Sequence, residues 1–158
     1  MLKQAILTIL FAGLVAGTLD ALAAIIVYGP VFGKASAEGI FKGIASGAFG
    51  KEAFEKGTIM ASYGIAFHYF IALSFAAFYF IVFRSAPFFK KNRIAGGIAY
   101  GVFVWLVMNL LVIPLSMIKP GELRILPVIT GMLILILMVG LPISFIVQAR
   151  MSKSEKNR

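Results

Sequence analysis

Three residues set in otherwise apolar stretches hold most of the chemistry this sequence offers: Asp20, His68 and Asn109. An aspartate beside a histidine can exchange a proton, because desolvation and a neighbouring charge both move the proton's preferred site. An asparagine next to them can donate and accept at once. The set suits two roles. One is a proton or ion relay. The other is a buried hydrogen-bond cluster in which Asp20 accepts from His68, Asn109 completes the set and the helices are fixed in register. The cluster is the simpler expectation, since a relay also needs water from both sides and the sequence supplies no sign of it.

Other chemistry is scarce. The chain has one histidine and no cysteine, which excludes disulfides, thiolate metal sites and, within one copy, a multi-histidine metal centre. A haem would need a second copy or a ligand other than histidine. There is no Walker-type phosphate loop and no HExxH. Ser62 stands about one and a half turns from His68, and Ser74 lies on another face, so a serine–histidine–aspartate triad with Asp20 has little support. The expectation is a protein that is not an enzyme and carries no metal or cofactor.

The elements that hold these residues follow from composition. Of 158 residues, 61% are hydrophobic and 13% charged, against roughly 45–50% apolar in a soluble domain. Four apolar runs, about 6–28, 58–83, 94–118 and 125–149, each reach the ~20 residues a helix needs to span a bilayer. Pro114, Pro127 and Pro142 lie in or near the last two, and are tolerable where neighbours satisfy the freed carbonyls. The first run has features of a signal peptide, with Lys3 and the triplet Ala21-Leu22-Ala23. Asp20 and the continuation through Ile25, Ile26 and Val27 argue for a retained span instead.

Between the first two runs, Lys34, Glu38, Lys42 and Ser46 form one stripe, with Ile40, Phe41, Ile44 and Ala48 opposite. That pattern predicts an amphipathic helix over about 34–50, lying in the interface as a lid or dipping in as a re-entrant segment. Gly39, Gly43 and Gly47 form a third stripe suited to close helix contact. The predicted fold is therefore all-α, one integral membrane domain over 1–158, with four transmembrane helices and an interfacial helix between the first and second. No internal repeat argues for inverted symmetry.

Depth and face place the polar residues together. At ~1.5 Å per residue, Asp20, His68 and Asn109 each fall about 12–15 Å below the outer boundary. Asp20 shares a face with Gly13, Gly17 and Ala24. His68 lies among Ala61, Gly64, Ala72 and Ala76, and Asn109 continues Gly97, Gly101 and Trp105. Small residues mark helix contacts in membranes, so all three should point into the bundle.

The net charge of +9 sits in short segments beside apolar runs, which points to topology and anionic lipid rather than nucleic acid. Arg84, Lys90, Lys91 and Arg93, with Arg150, Lys153, Lys156 and Arg158 of the tail, face only Glu155. The other side mixes Lys34, Lys42, Lys51, Lys56, Lys119 and Arg124 with Glu38, Glu52, Glu55 and Glu122. The first side, with both termini, should be cytoplasmic.

Several segments carry a resemblance: Gly17-Thr18-Leu19-Asp20, Ile44-Ala45-Ser46-Gly47, Ala66-Phe67-His68-Tyr69, Val107-Met108-Asn109 with Pro114-Leu115-Ser116, and Val139-Gly140-Leu141-Pro142. Over most of its length the chain resembles uncharacterised bacterial four-helix inner-membrane proteins, and by helix layout it is distantly similar to the YagU-like group linked to acid tolerance. Its fourth helix lacks the acidic or histidine residue of that group. The resemblance implies a bacterial cytoplasmic-membrane location and weight on Asp20, His68 and Asn109, without an activity. The leading expectation is an integral inner-membrane protein with a mainly structural polar layer. The alternatives are a small oligomeric permeation or proton-linked transport protein, and an accessory subunit packed on a larger membrane complex through Gly39, Gly43 and Gly47.

Overall fold

The computed structural model describes residues 2–33, 35–118 and 125–156. Lys34, Lys119, Glu122, Arg124 and Arg158, which entered the charge count above, lie outside these, as do the side chains of Arg84, Lys153, Glu155 and Lys156. The described residues are helical throughout, with short connections. Four helices are long and apolar enough to cross a membrane: α1 (Leu2–Val31), α4 (Ile59–Ser85), α6 (Arg93–Leu115) and α7 (Ile125–Ser152). Between α1 and α4 come α2 (Ala37–Phe49) and the single turn α3 (Glu52–Glu55); α5 (Pro87–Lys91) joins α4 to α6.

The helix ends have local causes. Ser36 caps α2, its hydroxyl accepting from the Gly39 N–H at 3.1 Å. Gly50 closes α2 at φ +58°, a conformation most side chains resist. Asn92 caps α6 by accepting from Ile94 and Ala95 at 3.0 and 3.1 Å. Three of the long helices widen into a π turn at or just before a proline: Val27–Val31 holds Pro30, Met108–Val112 precedes Pro114, and Leu135–Gly140 precedes Pro142. A proline lacks the N–H its fourth predecessor needs and its ring crowds that carbonyl, and the wider turn relieves both.

Packing runs around the bundle from α4 to α1, α7 and α6. Glycines set the closest approaches. A Cβ at Gly13 would meet Leu73 Cα at 3.0 Å, and one at Gly17 would meet Ala72 Cβ at 3.0 Å, so α1 lies hard against α4. On the other side a Cβ at Gly97 would stand 2.8 Å from the Leu141 side chain, one at Gly101 would overlap the Ile136 backbone, and one at Gly140 would overlap the Gly97 carbonyl. Small residues bring the backbones of α6 and α7 together as membrane helices generally require. By contrast, α4 and α6 meet through aromatic rings, with Phe78 on Phe103 at 5.3 Å and Tyr79 on Tyr100 at 4.7 Å between centroids. The core gathers there with Ala12, Ala16, Ala76, Val104, Ile143 and Val147.

Helix α2 packs differently from the amphipathic pattern. Ala45 and Ser46 are buried, and the Lys42 side chain is only 15% exposed while it pairs with Glu38 at 2.8 Å. Two of the polar stripe positions are thus turned into protein. The reason is Gly64 on α4: a side chain there would overlap the Phe41 carbonyl, so its absence lets the α2 backbone sit directly on α4. Phe49 then lies against Tyr63 and Phe67, and Ala45 joins Met60 and Ala53 in a small second core. The glycine stripe does not act as one face. Gly39 lies over the Ser36 hydroxyl, Gly47 lies within contact of Ser116 and Ile118, and Gly43 has no heavy atom within 4 Å of where its Cβ would stand.

Candidate functional site

The polar residues of α1 and α4 meet where Gly17 bares its backbone. His68 Nε2 lies 2.8 Å from the Gly17 carbonyl oxygen. A carbonyl only accepts, so Nε2 carries the proton and Nδ1 is the ring's remaining polar atom. One residue further on, the Thr18 hydroxyl and the Tyr69 hydroxyl are hydrogen-bonded at 2.9 Å. The His68 ring is flanked edge-on by Phe41 of α2 and Tyr69. Asp20 stands one turn along α1 from Gly17, near enough to His68 and Tyr28 for its charge to be felt at both. The Tyr28 hydroxyl and the Trp105 indole nitrogen both approach Gly131 of α7, at 3.7 and 3.6 Å from its Cβ position. A polar seam thus runs from His68 and Asp20 along α1 to the α6–α7 side.

The expected mutual bonds among Asp20, His68 and Asn109 are replaced by bonds to main chain. The partner of His68 is the Gly17 carbonyl rather than the Asp20 carboxylate. Asn109 donates from Nδ2 to the Trp105 carbonyl of its own helix at 2.9 Å. Asn109 sits in the π turn ahead of Pro114, and the Trp105 carbonyl it bonds also accepts the Met108 N–H, so the side chain adds a second bond to an oxygen of its own helix. No group of three or more His, Cys, Asp or Glu among the described residues is placed to hold a metal ion.

A second polar network carries no equally plain marker in the sequence. The Tyr79 hydroxyl donates to Ser144 Oγ at 2.8 Å, and Ser144 donates to the Arg93 carbonyl at 2.8 Å, with Ser144 fully buried. Gln148, one turn on, donates to the Phe89 carbonyl and ties α7 to α5. The Tyr100 hydroxyl donates to the Phe75 carbonyl at 2.6 Å, joining α6 to α4. Ser144 and Gln148 stand four apart in an apolar run, which is the one sequence signal that points to this network. Tyr100→Phe keeps the ring and deletes the donor. It is expected to lower stability by about 1 kcal/mol, read as a lower melting temperature in detergent with unchanged helical circular dichroism.

Next to the seam, α2 roofs a wedge between α4 and α6 that encloses a cavity of about 520 Å³. Ile40, Gly43, Ile44, Gly47 and Ala48 form its α2 wall; Phe67, Phe70 and Ile71 form the α4 wall; Met108, Val112 and Ile113 form the α6 wall.

Fold and site together define a chain helical across its described residues, with four helices long and apolar enough to cross a membrane, stapled by side chains that bond to backbone and to one another. No protein-family model, curated protein or solved structure matches it.

Proposed function

We propose that this chain is a multi-pass protein of the bacterial cytoplasmic (inner) membrane, with both termini in the cytoplasm and α2 in the opposite interface, and that its Asp20, His68 and Asn109 layer holds helices together rather than conducting. The observation that carries this reading is that His68 of α4 ends on the Gly17 carbonyl of α1, a bond between two of the long helices, while Asn109 is taken up within its own helix at Trp105. Side chains committed to main-chain oxygens in this way serve the fold. The orientation rests on the basic residues of the α4–α6 connection and the tail. The resemblance to uncharacterised bacterial four-helix inner-membrane proteins supports the location.

A second reading, proton-linked transport, is favoured by one observation: His68 is bonded at Gly17, one helical turn from Asp20, which brings two groups able to exchange a proton to the same level of the bundle. Proton flux into liposomes that contain the purified protein separates the two. The expected result is no flux above protein-free vesicles from either the parent or Asp20→Asn, with His68→Leu melting at a lower temperature. Flux in the parent that disappears in a folded Asp20→Asn protein would put transport in the place of the structural reading.

A further inference from the structure

The cavity between α2, α4 and α6 has three properties that together select its ligand. Its walls are apolar. The one polar side chain on them, Ser116, has its hydroxyl committed on both sides, donating to the Ile113 carbonyl at 2.7 Å and accepting from the Ile118 N–H at 3.1 Å. A ligand with a polar ring or head inside the cavity would therefore lose hydrogen bonds to water without replacing them. The volume, about 520 Å³, falls within the ~300–1,000 Å³ of small-molecule sites.

Depth is the second property. On α6 its lining runs from Met108 to Ile113, about 7–8 Å at ~1.5 Å per residue, and continues past the helix end to Ser116 and Ile118. This stretch belongs to the α2-side half of α6, so it is reached from the leaflet on that side and not from the other. Access is the third. Phe70, one of its lining residues, is 70% exposed, so the mouth opens on the apolar outer surface of the bundle.

We propose that this cavity is a binding site for one acyl chain of a phospholipid from the leaflet on the α2 side. Gly43 and Gly47 keep the roof smooth, and the chain lies between that roof and the rings of Phe67 and Phe70. The proposal rests on the reading that the four long helices cross the membrane.

The test uses the full chain in vesicles of phosphatidylethanolamine and phosphatidylglycerol that carry a trace of phospholipid with a photoreactive group in its acyl chain. Cross-linked sites are mapped by peptide mass spectrometry. Label several-fold denser on Phe67, Ile71, Met108 and Val112 than on the lipid-facing Leu14, Leu22 and Leu133 is the expected result. Gly43→Phe should abolish that excess without lowering the melting temperature, because a side chain at 43 grows into the cavity and not into neighbouring atoms. Ala48→Phe, which fills the same wall, gives an independent second variant, and Gly43→Ala should leave the pattern unchanged. Even labelling over all these positions overturns the site while leaving membrane crossing intact. Displacement of the label by an isoprenoid quinone overturns the choice of an acyl chain. Label absent from all four long helices would instead overturn the membrane-crossing reading itself.

Discussion

Gly140→Leu is expected to keep α6 and α7 from docking, and even Gly140→Ala should cost stability at or above the upper end of the ~1–3 kcal/mol typical of overpacking. A Cβ at 140 overlaps the Gly97 carbonyl oxygen and stands 2.6 Å from the Gly101 nitrogen and 2.8 Å from its Cα. None of these atoms belongs to a flexible side chain, so rotamer changes give no relief and the helices must separate. Gly101→Val meets the same barrier from the other side, at the Ile136 backbone. Ile136 and Gly140 both lie in the π turn ahead of Pro142, so this close crossing coincides with a stretch whose backbone is already widened. Separation there would also carry Ser144 away from the Arg93 carbonyl and from Tyr79. The check is a set of thermal melts in detergent on the parent, Gly140→Ala, Gly140→Leu and Gly43→Ala. Gly43→Ala acts as the control, since its added methyl meets no atom within 4 Å. A Gly140→Ala protein that melts with the parent would refute the close-packing account.

The four long helices were legible because each is a long, uniformly apolar segment, and a count of consecutive apolar residues finds these without knowledge of neighbours. Gly97 and Gly101 were legible for a related reason, as four-residue spacing on one helix is visible in one dimension. Gly140 stands in no such stripe, and only the partner helix reveals its role. The polar layer was half legible. The sequence marks His68 and Asn109 as expensive residues that need partners, yet both partners are backbone carbonyls, which no residue inventory displays. Tyr79 and Tyr100 were harder still. A tyrosine in a membrane helix reads equally well as an interfacial anchor, and only packing shows their hydroxyls turned inward to Ser144 and to the Phe75 carbonyl. The wheel of α2 marked the helix itself, present at Ala37–Phe49, but not how it docks. It ranks residues by polarity around one axis, whereas the burial of Ser46 and the low exposure of Lys42 depend on a missing side chain at Gly64 of another helix.

That missing side chain is the most sensitive point in the α2 end of the molecule. Gly64→Leu is expected to lift α2 off α4 while leaving the α1–α7–α6 side of the bundle folded. The added side chain overlaps the Phe41 carbonyl, and the Phe41 carbon and Cα lie within about 3 Å of its Cβ position, so the clash is with α2 backbone. Release would open the second core of Ala45, Ala53 and Met60, strip Phe41 from the His68 ring and remove the roof of the cavity. The cysteine-free sequence makes the event easy to read. Ala45→Cys, at a position with no exposed surface, should resist a water-soluble maleimide in the parent background and react rapidly when Gly64→Leu is added. Helical circular dichroism should fall by little, since α2 makes up a small part of the helix. Equal protection of Cys at 45 in both backgrounds would mean that α2 is held to the bundle chiefly by its far end, where the Met117 N–H donates to the Gly47 carbonyl at 2.9 Å, and that the Gly64 contact is incidental.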